Sequence, residues 1–179
     1  MKLIILNGPL GVGKSTLALK LNEQMPSSVL VDVDELRRAI PNYRENREES
    51  LRLVYKQTAQ IIGEELAKGN DVIVDKAISY SDTIDTFIKV GKEQCADIYE
   101  FLLFADKETI RKRADERGYR PGGMLTPEKV DELWEKSDAL RKERSQAIFI
   151  DARDPELIYE KVQSFIAKKG FRHRPRAQQ

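Results

Sequence analysis

Lys2-Leu3-Ile4-Ile5-Leu6-Asn7-Gly8-Pro9-Leu10-Gly11-Val12-Gly13-Lys14-Ser15-Thr16 is the stretch from which the rest of this 179-residue chain is read. An apolar run, Leu3 to Leu6, halts at a glycine, and Gly8 to Ser15 satisfies G-x-x-x-x-G-K-[ST] in full. Leu17, Ala18, Leu19 and Leu21 then continue in helical character. Strand, glycine loop and helix in that order are the context that makes the pattern a binding site.

The residue types follow from the ligand. A polyphosphate is bulky and anionic, so main-chain N–H groups must wrap it. Glycines permit the positive-φ turns and the close approach that wrapping needs. A helix opening near Gly13–Lys14 adds unpaired amides and the positive end of its dipole. Gly8, Pro9, Leu10, Gly11, Val12, Gly13, Lys14, Ser15 and Thr16 are therefore expected to hold a nucleoside triphosphate. Lys14 would reach the β and γ phosphates, and the Ser15 hydroxyl would bind Mg²⁺.

Further along, short β-branched runs alternate with longer helical patterns, which predicts an α/β fold with a parallel sheet and crossover helices. The strands read as Lys2–Asn7, Val29–Val33, Asp71–Asp75, Ile98–Phe104 and Ala147–Asp151. Their near-continuous apolar character suits burial on both faces. A long helix over 48–68 carries Leu51, Val54, Tyr55, Thr58, Ile61, Ile62 and Leu66 and stops at Gly69-Asn70. Ser81 and Asp82 can cap a helix bearing Ile84, Phe87, Ile88 and Val90, and the last helix runs from Pro155 to Gly170. Between the fourth and fifth strands, residues 105–145 read as two helices around Gly118–Leu125, with Thr126-Pro127 starting the second. This segment is expected to be a lid hinged at Gly122-Gly123, within one domain spanning 1–170.

In open parallel sheets ligands sit beyond the carboxyl ends of the strands. Asp32-Val33-Asp34-Glu35-Leu36-Arg37 closes the second strand, and Asp34 is the candidate general base on an acceptor hydroxyl. The bland alternative is that Asp34 caps a helix over Glu35–Ile40. Asp75, ending Asp71-Val-Ile-Val-Asp75, is built as a Walker-B-type carboxylate for Mg²⁺. Lys76 directly after it is unexpected beside a cation; it either points away or contacts phosphate. Arg111, Arg113, Arg117 and Arg120 crowd the helix before the hinge, and Arg113 and Arg117 share a face. Arg117 and Arg113 first, then Arg120, are the candidates to close over a transferring phosphoryl group. Arg37 and Arg38 are candidates for gripping the acceptor. The Asp151-Ala-Arg153-Asp-Pro155 loop is expected beside the nucleotide base, and the absence of a guanine-reading N-K-x-D element favours ATP over GTP.

Composition bounds the function. A net charge of +1 gives no electrostatic case for nucleic acid or membrane, and 40% hydrophobic with 34% charged residues describes an ordinary globular chain. One cysteine, Cys95, and one histidine, His173, exclude a disulfide framework, a Cys/His metal site and a histidine-dependent triad. The opening apolar run is too short for a membrane span and reads as a strand rather than a signal peptide, so a cytoplasmic protein, monomer or homodimer, is expected. Residues 171–179 form a basic tail, expected to be a frayed terminus.

These pieces resemble the small P-loop kinases (AAA-type, ATP-binding), a group that includes adenylate, shikimate and gluconate kinases and polynucleotide kinase. Within it the likeness is greatest to the chloramphenicol phosphotransferases. Their opening resembles Leu3-Ile4-Ile5-Leu6-Asn7-Gly8 through Gly13-Lys14-Ser15, and their V-D-x-L segment resembles Val33-Asp34-Glu35-Leu36 with Pro41 beyond it. The resemblance implies that Asp34 is the base, and the group's R-x-x-x-R lid pattern is matched by Arg113 and Arg117. The expected activity is transfer of the γ-phosphoryl group of ATP to a small-molecule hydroxyl. The alternatives are a nucleotide-binding switch that transfers nothing, or a kinase acting on a nucleic-acid 5′-hydroxyl or, as zeta-type toxins do, on a sugar nucleotide.

Overall fold

The computed structural model describes residues 1–119 and 125–168. Arg120, the Gly122-Gly123 hinge, Gly170, His173 and the basic tail lie outside them.

Among the described residues five strands form one parallel sheet: β1 (Lys2–Asn7), β2 (Ser28–Asp32), β3 (Asp71–Asp75), β4 (Asp97–Phe104) and β5 (Ile148–Asp151), in the order β2-β3-β1-β4-β5. The described helices are α1 (Lys14–Gln24), α2 (Val33–Arg38), α3 (Arg47–Ala67), α4 (Ser81–Glu93), α5 (Lys107–Arg117), α6 (Pro127–Glu143) and α7 (Pro155–Ala167). The P-loop α/β fold expected from the sequence is present. β1 and β3 begin and end where the apolar runs do, and the other strands differ by a residue. No described helix is long and apolar enough to cross a membrane.

Strand alternation sorts the core into two layers. Ile4, Leu6, Ile73, Tyr99, Phe101 and Leu103 point to the side of α1, α5 and α7, where they meet Leu17, Leu21, Ile110, Ile158 and Val162. Leu3, Ile5, Val72, Val74 and Ile98 point to the other side, against Val54, Ile62 and Leu66 of α3 and Phe87 of α4. On α3 the buried line Ser50, Val54, Thr58, Ile62, Leu66 recurs every fourth residue. Thr126, Asp106 and Asp154 cap α6, α5 and α7 through their side chains. Tyr80 precedes α4 without a side-chain cap, so Ser81 and Asp82 fall inside its first turn.

Glu100 interrupts the apolar run of β4 and is buried, as is its partner Arg144. Arg144 donates to both carboxylate oxygens, Nε to Oε1 at 2.5 Å and a terminal nitrogen to Oε2 at 2.9 Å, and also pairs with Asp85 at 2.9 Å. This pair ties the end of α6 to the sheet and to α4. Glu100→Gln is expected to cost about 3–5 kcal/mol, because it strands a buried guanidinium charge. Glu100→Leu combined with Arg144→Met should recover most of that loss. Urea denaturation of the single and double variants checks it; a double variant no more stable than the single one would contradict the charge argument.

Candidate active site

The loop leaving β1 is built by backbone conformations that exclude side chains. Gly8 has φ +140°, and a Cβ there would lie 2.1 Å from the Leu103 carbonyl oxygen of β4. Gly13, with φ +103°, is the residue that caps α1, and no side chain caps that helix. Gly8→Ala is therefore expected to cost roughly 3 kcal/mol or more, from overpacking plus backbone strain. An unchanged urea midpoint would count against this reading of the loop.

Asn7 holds the loop's root, a role the sequence did not suggest. Its side-chain oxygen accepts from the backbone N–H of Gly8 at 2.7 Å and of Ile78 at 2.9 Å, and its amide donates to the Ile78 carbonyl at 3.0 Å. Lys76 N–H also donates to the Leu6 carbonyl. The segment after β3 is thus stitched to the segment after β1.

Sheet register gathers the candidate site. Leu6, Asp75 and Asp32 are neighbours across β1, β3 and β2 at their carboxyl ends. Asp75 shares its side of β3 with Ile73, which faces α1, and accepts a hydrogen bond from the Ser15 side chain. Burial raises the Asp75 carboxyl above the usual range, only partly offset by that hydrogen bond and by Lys14, and Asp32 and Asp34 push the same way. A half-compensated buried carboxylate touching a serine hydroxyl is a hard-oxygen donor pair that fits Mg²⁺. No cluster of three or more carboxylate, histidine or cysteine ligands exists among the described residues, so phosphate and water must complete any such shell.

Lys14 is buried, and its ammonium donates to the carbonyls of Gly8 at 3.0 Å and Pro9 at 2.9 Å. Burial pulls it down to about 8, against the favourable charges of Asp75 and Asp34; Lys76 and Arg117 push it further down. A buried cation at a helix start with no side-chain cap, directly after a loop containing Gly8, Gly11 and Gly13, fits a polyphosphate.

Asp34 does not cap α2. β2 ends one residue earlier than its apolar pattern suggests, so Asp32 takes the cap and accepts from the Glu35 N–H at 2.9 Å. That leaves the Asp34 carboxylate free of backbone duty and 59% exposed, with one oxygen paired to Lys76. Lys76 lies just past the end of β3, and its ammonium turns to Asp34. Tyr55, edge-on to Phe87 with centroids 6.3 Å apart, stands near Asp34 and Tyr80. Burial first, then those neighbours, push its phenol up to about 12, so it remains a hydrogen-bond donor at neutral pH.

The arginines divide. Arg113 overlies the loop, its Cβ 4.0 Å from the point where a Gly11 side chain would begin, and donates to the Arg153 carbonyl at 2.9 Å. Arg117 is exposed and its charge reaches Lys14. Arg111 pairs with Asp131 instead. Arg37 is buried and spends its donors on Ser50 at 3.0 Å and on the carbonyls of Tyr43 and Arg47. Arg38 is exposed, 4.0 Å from Asp32. Asp151 and Arg153 pair with each other at the end of β5, which holds the Asp151 carboxyl down at about 2.

The fold is shared with several solved small kinases. A gluconokinase from Sinorhizobium meliloti superposes with a TM-score of 0.68 at 16% identity, covering 93% of this chain and 92% of its own. Shikimate kinase from Aquifex aeolicus gives 0.65 at 17%, covering 92% and 95%. The tunicamycin resistance protein of Deinococcus radiodurans gives 0.63 at 20%, covering 93% and 95%. At these identities the likeness is one of fold. No curated protein sequence matches significantly. Residues 3–146 match the model of the AAA domain family AAA_33, and the chain belongs to that family.

Proposed function

We propose that this protein is a phosphotransferase that moves the γ-phosphoryl group of ATP to a hydroxyl of a small molecule. The observation that carries the reading is the meeting, at the carboxyl end of the sheet, of a phosphate-binding loop with buried Lys14 and an exposed carboxylate, Asp34, left free by the Asp32 cap. ATP supplies the group transferred, and Mg²⁺, when bound, supplies charge that screens its oxygens.

Each residue then has a task. Lys14 turns from the Gly8 and Pro9 carbonyls to the phosphates. Ser15 and Asp75 hold the metal. Asp34 takes the proton of the acceptor hydroxyl while that oxygen bonds to the γ-phosphorus, the bond to the bridging oxygen breaks, and ADP departs. Arg117 and Arg113 face the charge spread over the transferring oxygens. The loop of Asp151 and Arg153 lies beside the nucleotide base. Arg38 lines the acceptor side, and Arg37 braces it from behind. The segment 105–145 serves as the lid, excluding water so that hydrolysis without acceptor is slow.

The test is a screen with γ-labelled ATP and Mg²⁺ against nucleosides, sugars, gluconate, shikimate, tunicamycin, aminoglycosides, phenicols and 5′-hydroxyl oligonucleotides. Label on a small hydroxyl compound supports the reading. Label on no acceptor, with ATP instead altering affinity for a protein partner, would favour a switch.

A further inference from the structure

Lys76 has no task in the mechanism above, yet it is buried and its ammonium pairs with Asp34. Its backbone is fixed to the root of the phosphate-binding loop. Lys76 N–H donates to Leu6, and two residues on, Ile78 is held at both its N–H and carbonyl by Asn7. Asp34 belongs to α2, a helix of six residues lying beyond the edge strand β2. The ion pair therefore links the short helix carrying the candidate base directly to the strand end carrying the phosphate-binding loop.

The pairing is also selective by atom. Lys76 engages Oδ1 of Asp34, while the residue as a whole stays largely exposed. A carboxylate clamped by one oxygen presents the other in a fixed direction, with the rotamer settled before an acceptor arrives. The two lysines have different partners: Lys14 donates to the Gly8 and Pro9 carbonyls, whereas Lys76 donates to Asp34.

We infer that Lys76 is a positioning residue, which holds the Asp34 carboxylate by Oδ1 so that Oδ2 meets the acceptor hydroxyl in line with the phosphate-binding loop. The inference rests on the phosphotransfer reading. Lys76 itself neither takes the proton nor touches the transferred group.

The experiment uses the full chain and whichever acceptor the screen identifies. Lys76→Met is expected to lower kcat about 10–100-fold, as a small misplacement of a catalytic group does, with the KM values for ATP and acceptor within about twofold of wild type. ADP affinity measured by titration should not change. Lys76→Arg, which can still reach one carboxylate oxygen, should recover part of kcat. In an Asp34→Asn background the same Lys76→Met change should have no further effect, because the group it positions is no longer a base. A loss falling on acceptor KM, or an equal loss in the Asp34→Asn background, would assign Lys76 a different role and overturn the inference. Lys76→Gln, which keeps a donor and a similar length, repeats the cycle if the methionine variant does not fold. Wild-type protein that labels no acceptor in the same assay refutes the phosphotransfer reading itself and removes the positioning role with it.

Discussion

Lys14→Met is expected to lower phosphoryl transfer by about 10²–10³-fold and, at the same time, to raise the stability of the folded chain. The first effect is the loss of a buried charge placed where negative charge develops. The second follows from the cost of keeping that charge in the fold. Burial pulls the Lys14 ammonium from 10.5 down to about 8. The folded value lies below the unfolded one, so the unfolded chain binds more protons between those two pH values, and stability rises with pH across that window. At neutral pH the charged lysine opposes folding. Removing the charge should stabilise by roughly 1–3 kcal/mol, less than the full shift, because the Gly8 and Pro9 carbonyls lose their donor. Thermal melts of wild type and variant at pH 7 and pH 10 check the sign. The variant should melt higher at pH 7, and the gap should narrow at pH 10. A variant that melts lower at pH 7 would mean that Lys14 is held for structure rather than for its ligand.

The same shift predicts a proton count. A bound polyphosphate favours the charged lysine, so ATP binding near pH 8 should take up a fraction of a proton. Calorimetry in buffers of different ionisation enthalpy reads that fraction, and Lys14→Met should abolish it.

Asp34→Asn is expected to cost about 10²–10⁴-fold in kcat, with ATP affinity unchanged. The side chain is exposed and gives no cap to α2, but its partner Lys76 is buried, so losing the carboxylate charge should cost roughly 1–3 kcal/mol of stability. A rate loss measured on the fully folded variant, with ATP affinity kept, separates a base from a brace. Kinetics with the labelled acceptor and urea denaturation measure the two effects. A variant that turns over normally would remove Asp34 from the chemistry, and one that binds ATP poorly would move it to the donor side.

What could be read from sequence follows the range of the interactions involved. β1 and β3 are buried on both faces and bounded by Gly8 and Asn70, so a local apolar run states both their existence and their ends. Thr126-Pro127 and Pro155 start helices through contacts within one turn, and both positions came through. Asp34 was harder. Whether it capped a helix depended on β2 ending at Asp32, one residue short of its apolar pattern. The remaining partnerships join distant parts of the chain. Lys76 and Asp34 are 42 residues apart, Arg144 and Glu100 are 44, and Asn7 and Ile78 are 71. Periodicity cannot express such pairs, although each leaves a trace: a lysine after a strand-end aspartate, a glutamate inside a doubly buried strand, an asparagine closing an apolar one. Arg37 shows the reverse error of emphasis. Its position beside Asp34 suggested a grip on the acceptor, whereas its donors go to Ser50, Tyr43 and Arg47.

The central claim is that the Lys14 loop and the Asp34 carboxylate serve one reacting phosphorus between them. A crystal structure with ADP, Mg²⁺ and aluminium fluoride tests it most directly. The account predicts the fluoride group against Lys14, with an Asp34 oxygen within about 2.6–3.2 Å of its apical ligand or one water removed. Lys14 still bonded to Gly8 and Pro9, or Asp34 turned away with no path to that ligand, would contradict it.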